Sequence, residues 1–114
     1  MNERDLLDRV TRVPGVRGAL LVAGTDGLVV AEQLMDGVDG RAVAALAGSL
    51  VSRLARTAEQ AGHRRPSFVH LRAEAGSVLA APGSDDLVLV AVVAPDGNVG
   101  LARLEMIDAA SRLG

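Results

Sequence analysis

Apolar residues recur along the chain with two different spacings, and these spacings distinguish predicted helices from predicted strands. Three stretches place apolar residues three or four positions apart, which is the repeat of an amphipathic helix. Five shorter stretches are continuously or alternately apolar, as strands are, and turn residues such as Pro14-Gly15 separate them. The pattern therefore predicts the order helix, two strands, helix, three strands, helix. The predicted ranges are residues 2–13, 17–23, 28–33, 40–61, 67–73, 77–81 and 87–94, with the last helix after Asn98.

Residues at the ends of these stretches support the predicted boundaries. Asn2 and Asp39 are residue types that cap helix N-termini, and Gly62 is the type that ends a helix. Residues 24–27 (GTDG) predict a tight turn between two paired strands. The stretch 87–94 is apolar at every position, so we expect that strand to be central in the sheet and covered on both faces.

The long second helix carries more apolar surface than contact with one sheet requires. Its sheet-facing arc is predicted to consist of Val43, Leu46, Ala47, Leu50, Leu54, Ala58 and Ala61. Beside this arc lies a flank of small residues, Ala44, Gly48, Val51 and Ala55, over which a second helix could approach closely. Two interpretations follow. Either a second copy of the chain packs on this flank, or the flank only widens the contact with the chain's own sheet.

We predict the first alternative, a homodimer that also uses an edge strand. The strand at 67–73 could pair with its own symmetry mate at the same interface and make a continuous sheet. The lone aromatic residue of the chain lies on this strand. The predicted dimer interface is therefore the small-residue flank together with Phe68, Val69, His70, Leu71 and Arg72.

Composition excludes several kinds of chemistry. The chain of 114 residues has no Cys, all 12 of its basic residues are Arg, and its net charge is −2. It therefore offers no thiolate metal site, no lysine of a phosphate-binding loop and no global attraction to nucleic acid. We predict a single domain over residues 1–114 with no active site, cofactor or metal. A charged start and no apolar run of membrane-spanning length lead us to expect a cytoplasmic protein without membrane insertion.

Several short motifs, in their order and spacing, resemble the Roadblock / dynein light chain family. They are residues 13–22 (VPGVRGALLV), 25–31 (TDGLVVA), 78–82 (VLAAP), 87–92 (LVLVAV) and 100–105 (GLARLE). The resemblance implies an α+β (α/β) profilin-like sandwich with a five-stranded antiparallel sheet in the order 2-1-5-4-3. One long helix would cover one face and two helices the other. It also implies dimers that pair their third strands and place their long helices side by side.

The resemblance extends to function through bacterial family members of the MglB type. It implies a non-enzymatic partner of a Ras-like small GTPase of the MglA type, which modulates GTP hydrolysis or localisation. The exposed face of the second helix is the expected docking surface, with Arg41, Ser52, Arg53, Arg56 and Gln60. Two other interpretations stay open, namely a ligand-sensing module and a structural subunit of a larger signalling assembly without GTPase contact.

Overall fold

A computed structural model describes residues 2–24, 26–84 and 86–113. The order of helices and strands is the predicted one, with bounds within two residues of those predicted. Thr25, in the predicted turn 24–27, lies outside the described residues. The elements are α1 (Glu3–Thr11), β1 (Val16–Ala23), β2 (Leu28–Leu34), α2 (Gly40–Gln60), β3 (Val69–Ala73), β4 (Gly76–Pro82), β5 (Leu87–Val93) and α3 (Val99–Ala110).

Polar side chains fix the starts of all three helices. The Asn2 side chain accepts a hydrogen bond from the backbone N–H of Asp5 at 2.9 Å. Asp39 accepts one from Ala42 at 3.1 Å, and Asn98 caps α3 in the same way. Each bond satisfies one of the backbone donors that a helix N-terminus leaves without a partner. The predicted caps at Asn2 and Asp39 are confirmed.

The five strands form one antiparallel sheet in the order β2-β1-β5-β4-β3, as the family resemblance implies. Strand β5 is central and is buried along most of its length, which confirms the prediction for this stretch. Helices α1 and α3 pack on one face, where Leu7, Leu79, Leu89 and Met106 are fully buried. Helix α2 covers the other face. Strands β2 and β3 are the two edges of the sheet.

Ion pairs connect α1 to α3 on the first of these faces. The Arg9 guanidinium donates to Glu105 at 2.9 Å and to Asp108 at 2.7 Å, and Arg112 donates to Asp108 at 3.3 Å. The hydrogen bond from Arg9, followed by the one from Arg112, holds the pKa of Asp108 below its usual value. The carboxylates of Asp108 and Glu105 in turn raise the pKa of Arg9. The network therefore stabilises the ionised form of Asp108 in the folded protein.

Among the described residues, none of the helices has the length and apolar character of a membrane span.

Candidate functional site

The small-residue flank of α2 lies against the chain's own sheet. Ala44 is 0% exposed and Val51 4%, and both pack in the core cluster that contains Leu20 and Val90. Gly48 is also buried, and Ala55 is half-buried. The prediction that Ala44, Gly48 and Val51 face a second chain is therefore wrong, and the alternative, that the flank contacts the chain's own sheet, is correct. Small side chains let the helix backbone approach the sheet closely, so they occupy the buried side.

The larger residues of α2 lie to one side of this contact. Leu46 is 45% exposed and Leu54 37%, while Leu50 between them is half-buried. At 3.6 residues per turn, this stripe is roughly a quarter turn around the helix from the buried face. These leucines were predicted to face the sheet. Their exposure leaves an apolar stripe on the outside of the helix.

Strand β3 adds apolar residues on the same side of the sheet. Val69 pairs with Ala80, and Leu71 pairs with Val78, so both point to the face that α2 covers. Leu71 is 39% exposed, because α2 lies mainly over the other strands of the sheet. We call the exposed and half-buried apolar residues on this side the leucine surface, and it comprises exposed Leu46, Leu54 and Leu71 with half-buried Leu50 and Val69.

The other face of β3 is polar. His70 and Arg72 are exposed and point to the side of α1 and α3, because they pair with Leu79 and Ser77. His70 Nε2 and Ser77 Oγ are hydrogen-bonded at 2.8 Å. Phe68 precedes the strand and is half-buried against the core on this side. The five residues predicted from the strand therefore divide between two faces of the sheet.

The predicted docking residues all lie on α2, but not in one cluster. Arg41, Arg53, Arg56 and Gln60 are exposed, and Ser52 is half-buried. Arg41 lies near the start of the helix, roughly 22 Å along its axis from Arg56 at 1.5 Å per residue. The structure therefore brings together Arg53, Arg56 and Gln60 on the outer face, with Arg41 apart.

A groove of about 460 Å³ runs beside the outer face of α2. Ser52 and Arg56 line it from the helix, and Arg65 and Asp86 line it from the loops. Its floor is small and apolar, with Val88 of β5 beside residues of α2. Sequence reasoning did not predict that Arg65 and Asp86 meet here, because no pattern along the chain indicates that these two loops meet beside α2.

In the part of the chain that the structure describes, no three or more His, Asp or Glu residues are placed to hold a metal ion. Within that same part, each buried side-chain nitrogen or oxygen has a hydrogen-bond partner. The most distinctive surface features are thus the leucine surface, the β3 edge and the charged outer face of α2. Such features suit contact with another protein better than they suit catalysis.

Known proteins share this fold over nearly the whole chain. An uncharacterised protein of Methanocaldococcus jannaschii is 33% identical over 113 residues, which cover 99% of this chain and 93% of that protein. MglB of Myxococcus xanthus superposes with a TM-score of 0.80 at 20% identity, covering 93% of this chain and 86% of that one. A structure described as MglB with tetrameric arrangement gives a TM-score of 0.81 at 21% identity, covering 95% and 82%.

The family is identified by sequence as well as by structure. The sequence profile of the Roadblock/LC7 domain matches residues 3–94, which hold both edge strands and the long helix. Because this match spans most of the chain and the archaeal relative is similar over nearly its full length, the chain belongs to the Roadblock/LC7 domain family.

Proposed function

We propose that this chain is a non-enzymatic homodimer that binds a Ras-like small GTPase and modulates its GTP hydrolysis or its localisation. The observation that carries the proposal is the leucine surface beside the edge strand β3. Leu46, Leu54 and Leu71 are large aliphatic side chains with more than a third of their area exposed. An apolar surface of this kind next to an open strand edge marks a protein–protein contact.

A twofold axis beside β3 would cover both features at once. Pairing of β3 with its copy satisfies the backbone groups of that edge and joins the two sheets. The same rotation brings the two α2 helices alongside each other and buries the leucine surface of each. Such a contact is self-complementary, so it closes at two copies. Self-association of a related fold is indicated by the MglB structure described as tetrameric.

The outer face of α2 is the proposed docking surface for the GTPase. Arg53, Arg56 and Gln60 are exposed there, and the groove beside Arg56 offers a recess for a projecting loop. A GTPase already positions Mg²⁺, the phosphates and the attacking water. A partner can therefore change the rate by repositioning those groups without having an active site itself. The expectation of a GTPase comes from the family resemblance.

The dimer is tested by Leu46→Arg, with sedimentation at low micromolar concentration. Wild type should sediment as a dimer. The variant should be a monomer with an unchanged circular dichroism spectrum, because nearly half of the Leu46 side chain is already exposed. The matched variant Val51→Arg places the charge in the core instead, and should destabilise the fold by about 4 kcal/mol. A monomeric wild type, or a fully dimeric Leu46→Arg, would refute the proposed interface.

GTPase docking is tested with purified Ras-like GTPases of the source organism, loaded with GDP or with a GTP analogue. Replacement of Arg53 and Arg56 by Glu should weaken binding by about tenfold or more, which is 1.4 kcal/mol. Replacement of Arg4 and Arg12 by Glu is the control, because these exposed residues lie on α1 and at its C-terminal cap, across the sheet from α2. If the wild-type dimer binds none of these GTPases in either nucleotide state, the assembly-subunit interpretation replaces this one.

The ligand-sensing interpretation has a specific place in the structure, the groove beside α2. Its volume is in the range of small-molecule sites, and Arg56, Arg65 and Asp86 supply charged groups around an apolar floor. A small molecule that raises the melting temperature of wild type, but not of Arg56→Ala, would favour this function. Both functions thus use Arg56. The experiments distinguish them by what binds there, a GTPase or a small molecule.

A further inference from the structure

Exposed basic residues lie on and beside the face of β3 opposite the leucine surface. His70 and Arg72 are exposed on it, at alternate positions of the strand. The Arg103 guanidinium of α3 lies over the Phe68 ring, 5.5 Å from its centroid, at the same edge. None of the ion pairs within the described residues uses Arg72 or Arg103. These positive charges are therefore available to an outside group.

Helix α3 borders this strip without covering it. The helix packs over β4 and β5, so β3 stays open on this side. Leu104 is 68% exposed on α3, and Ile107 is 39% exposed one turn further on. A polypeptide lying along β3 would therefore meet Arg72 on the floor and Ile107 on the wall, with Leu104 at the outer rim.

The proposed dimer turns this strip into a trough. Pairing of β3 with its copy places two such strips side by side, with an α3 helix along each outer border. We propose that this trough binds an acidic, extended peptide segment of a partner protein, with aliphatic residues among its carboxylates. The inference rests on the proposed dimer but not on GTPase docking, because the trough lies on the other face of the sheet from α2.

Charge complementarity selects the occupant. Each protomer contributes Arg72 and Arg103, and guanidinium groups bind carboxylates in paired hydrogen bonds. Exposed Leu104 and Ile107 favour a ligand with aliphatic side chains, which a nucleic acid lacks. The net charge of −2 and the single aromatic residue also argue against a nucleic acid. An acidic peptide is the ligand that fits both kinds of residue.

Binding of a peptide in the trough should also change the stability of the dimer. In the paired strands, the Arg72 guanidinium of one protomer lies near the Arg72 guanidinium of the other. Like charges opposed across neighbouring strands are destabilising. A carboxylate-rich segment neutralises them, so it should bind the dimer more tightly than the monomer and strengthen dimerisation in return.

The test uses the full chain and a short fluorescein-labelled peptide of glutamates and leucines, followed by fluorescence anisotropy. The same peptide with lysine for glutamate is the charge control. Replacement of Arg72 and Arg103 by Gln should weaken binding of the acidic peptide by about tenfold or more, equivalent to 1.4 kcal/mol. Replacement of Arg4 and Arg12 by Gln removes the same charge from α1 and its C-terminal cap. It should leave the affinity within about twofold of wild type, or 0.4 kcal/mol.

Sedimentation of the same samples separates the two proposals. The acidic peptide should lower the dimer dissociation constant of wild type, but not that of Arg72→Gln/Arg103→Gln. A wild-type dimer that does not bind the peptide would overturn the trough alone, and a monomer would overturn dimer and trough together. Equal loss of affinity in both double variants would also overturn it. So would a single-stranded oligonucleotide that binds the trough more tightly than the peptide.

Discussion

At the scale of single residues, Gly15 shows how a turn holds distant segments together. Its φ is +89°, and a Cβ at this position would overlap the Cα of Gly97. Its carbonyl accepts a hydrogen bond from Ala94 at 2.8 Å, and Pro14 accepts one from Asn98 at 3.1 Å. The turn after α1 is thereby fixed to the loop before α3. The close approach of two glycine backbones is what allows both bonds.

Gly15→Ala should therefore lower the free energy of unfolding by more than the cost of placing an alanine at a positive φ. The left-handed conformation and the clash with Gly97 together should cost about 3 kcal/mol. Gly62→Ala is the matched control, because its φ is +80° and nothing lies within 4 Å of the added Cβ. That variant should lose only about 1 kcal/mol. Urea denaturation measures both, and equal losses would show that contact with Gly97 is unimportant.

At the scale of elements, α2 shows what the spacing of apolar residues can predict and what it cannot. The spacing of apolar residues predicted the helix and the width of its apolar surface, and its bounds Gly40–Gln60 follow from local caps. Which part of that surface touches the sheet depends on a non-local quantity, the distance between helix and sheet. Ala44, Ala47 and Val51 fit a close approach, and the leucines do not. The predicted sheet-facing arc was therefore right for Val43 and Ala47 and wrong for Leu46 and Leu54.

For the strands too, local features could be predicted from the sequence and non-local contacts could not. Their ranges and the central position of β5 could be predicted, because an uninterrupted apolar run requires cover on both faces. The pairing order came only from the family resemblance, since any of several strand neighbours satisfies the same pattern. Arg103 on Phe68 was not predicted, because the two residues are far apart in sequence and their contact depends on how α3 crosses the sheet.

The α1–α3 ion pairs lead to a prediction of pH dependence. Because the pKa of Asp108 is lowered by folding, its stabilising effect is complete above the usual pKa of Asp, about 3.9, and is lost as the pH falls through the lower folded value. At neutral pH, Asp108→Asn should therefore melt below wild type. The difference should shrink below about pH 4 and disappear in stronger acid.

Thermal melts of both proteins at a series of pH values measure this difference. Asp96→Asn is the control, because Asp96 is exposed in a turn and takes part in none of the ion pairs within the described residues. Its melting temperature should follow wild type at each pH. A gap between Asp108→Asn and wild type that stays constant into acid would mean that the carboxylate charge is not what stabilises the contact.

At the scale of the whole molecule, the two sheet edges differ in a way that favours a closed dimer. Strand β3 pairs with β4 in continuous register, so its outer edge is regular. Strand β2 has a register shift opposite Leu21 and Val22, which leaves Val30 without a partner on β1. A bulge twists an edge and hinders the addition of a further strand. One regular edge and one irregular edge suit pairing of two copies rather than growth of an open chain.

If the proposed dimer is the stable folded form, its melting temperature must depend on protein concentration. Folding coupled to association gains about 1.4 kcal/mol for each tenfold increase in concentration. For a dimer of this size, that corresponds to a rise of about 3–6 °C. Leu46→Arg should melt at one temperature regardless of concentration, because Leu46 is 45% exposed in the single chain and belongs to the surface the dimer buries. Calorimetry over a hundredfold concentration range distinguishes the two behaviours. A wild-type melting temperature that does not change with concentration would mean that the chain folds as a stable monomer, with the leucine surface open to a different partner.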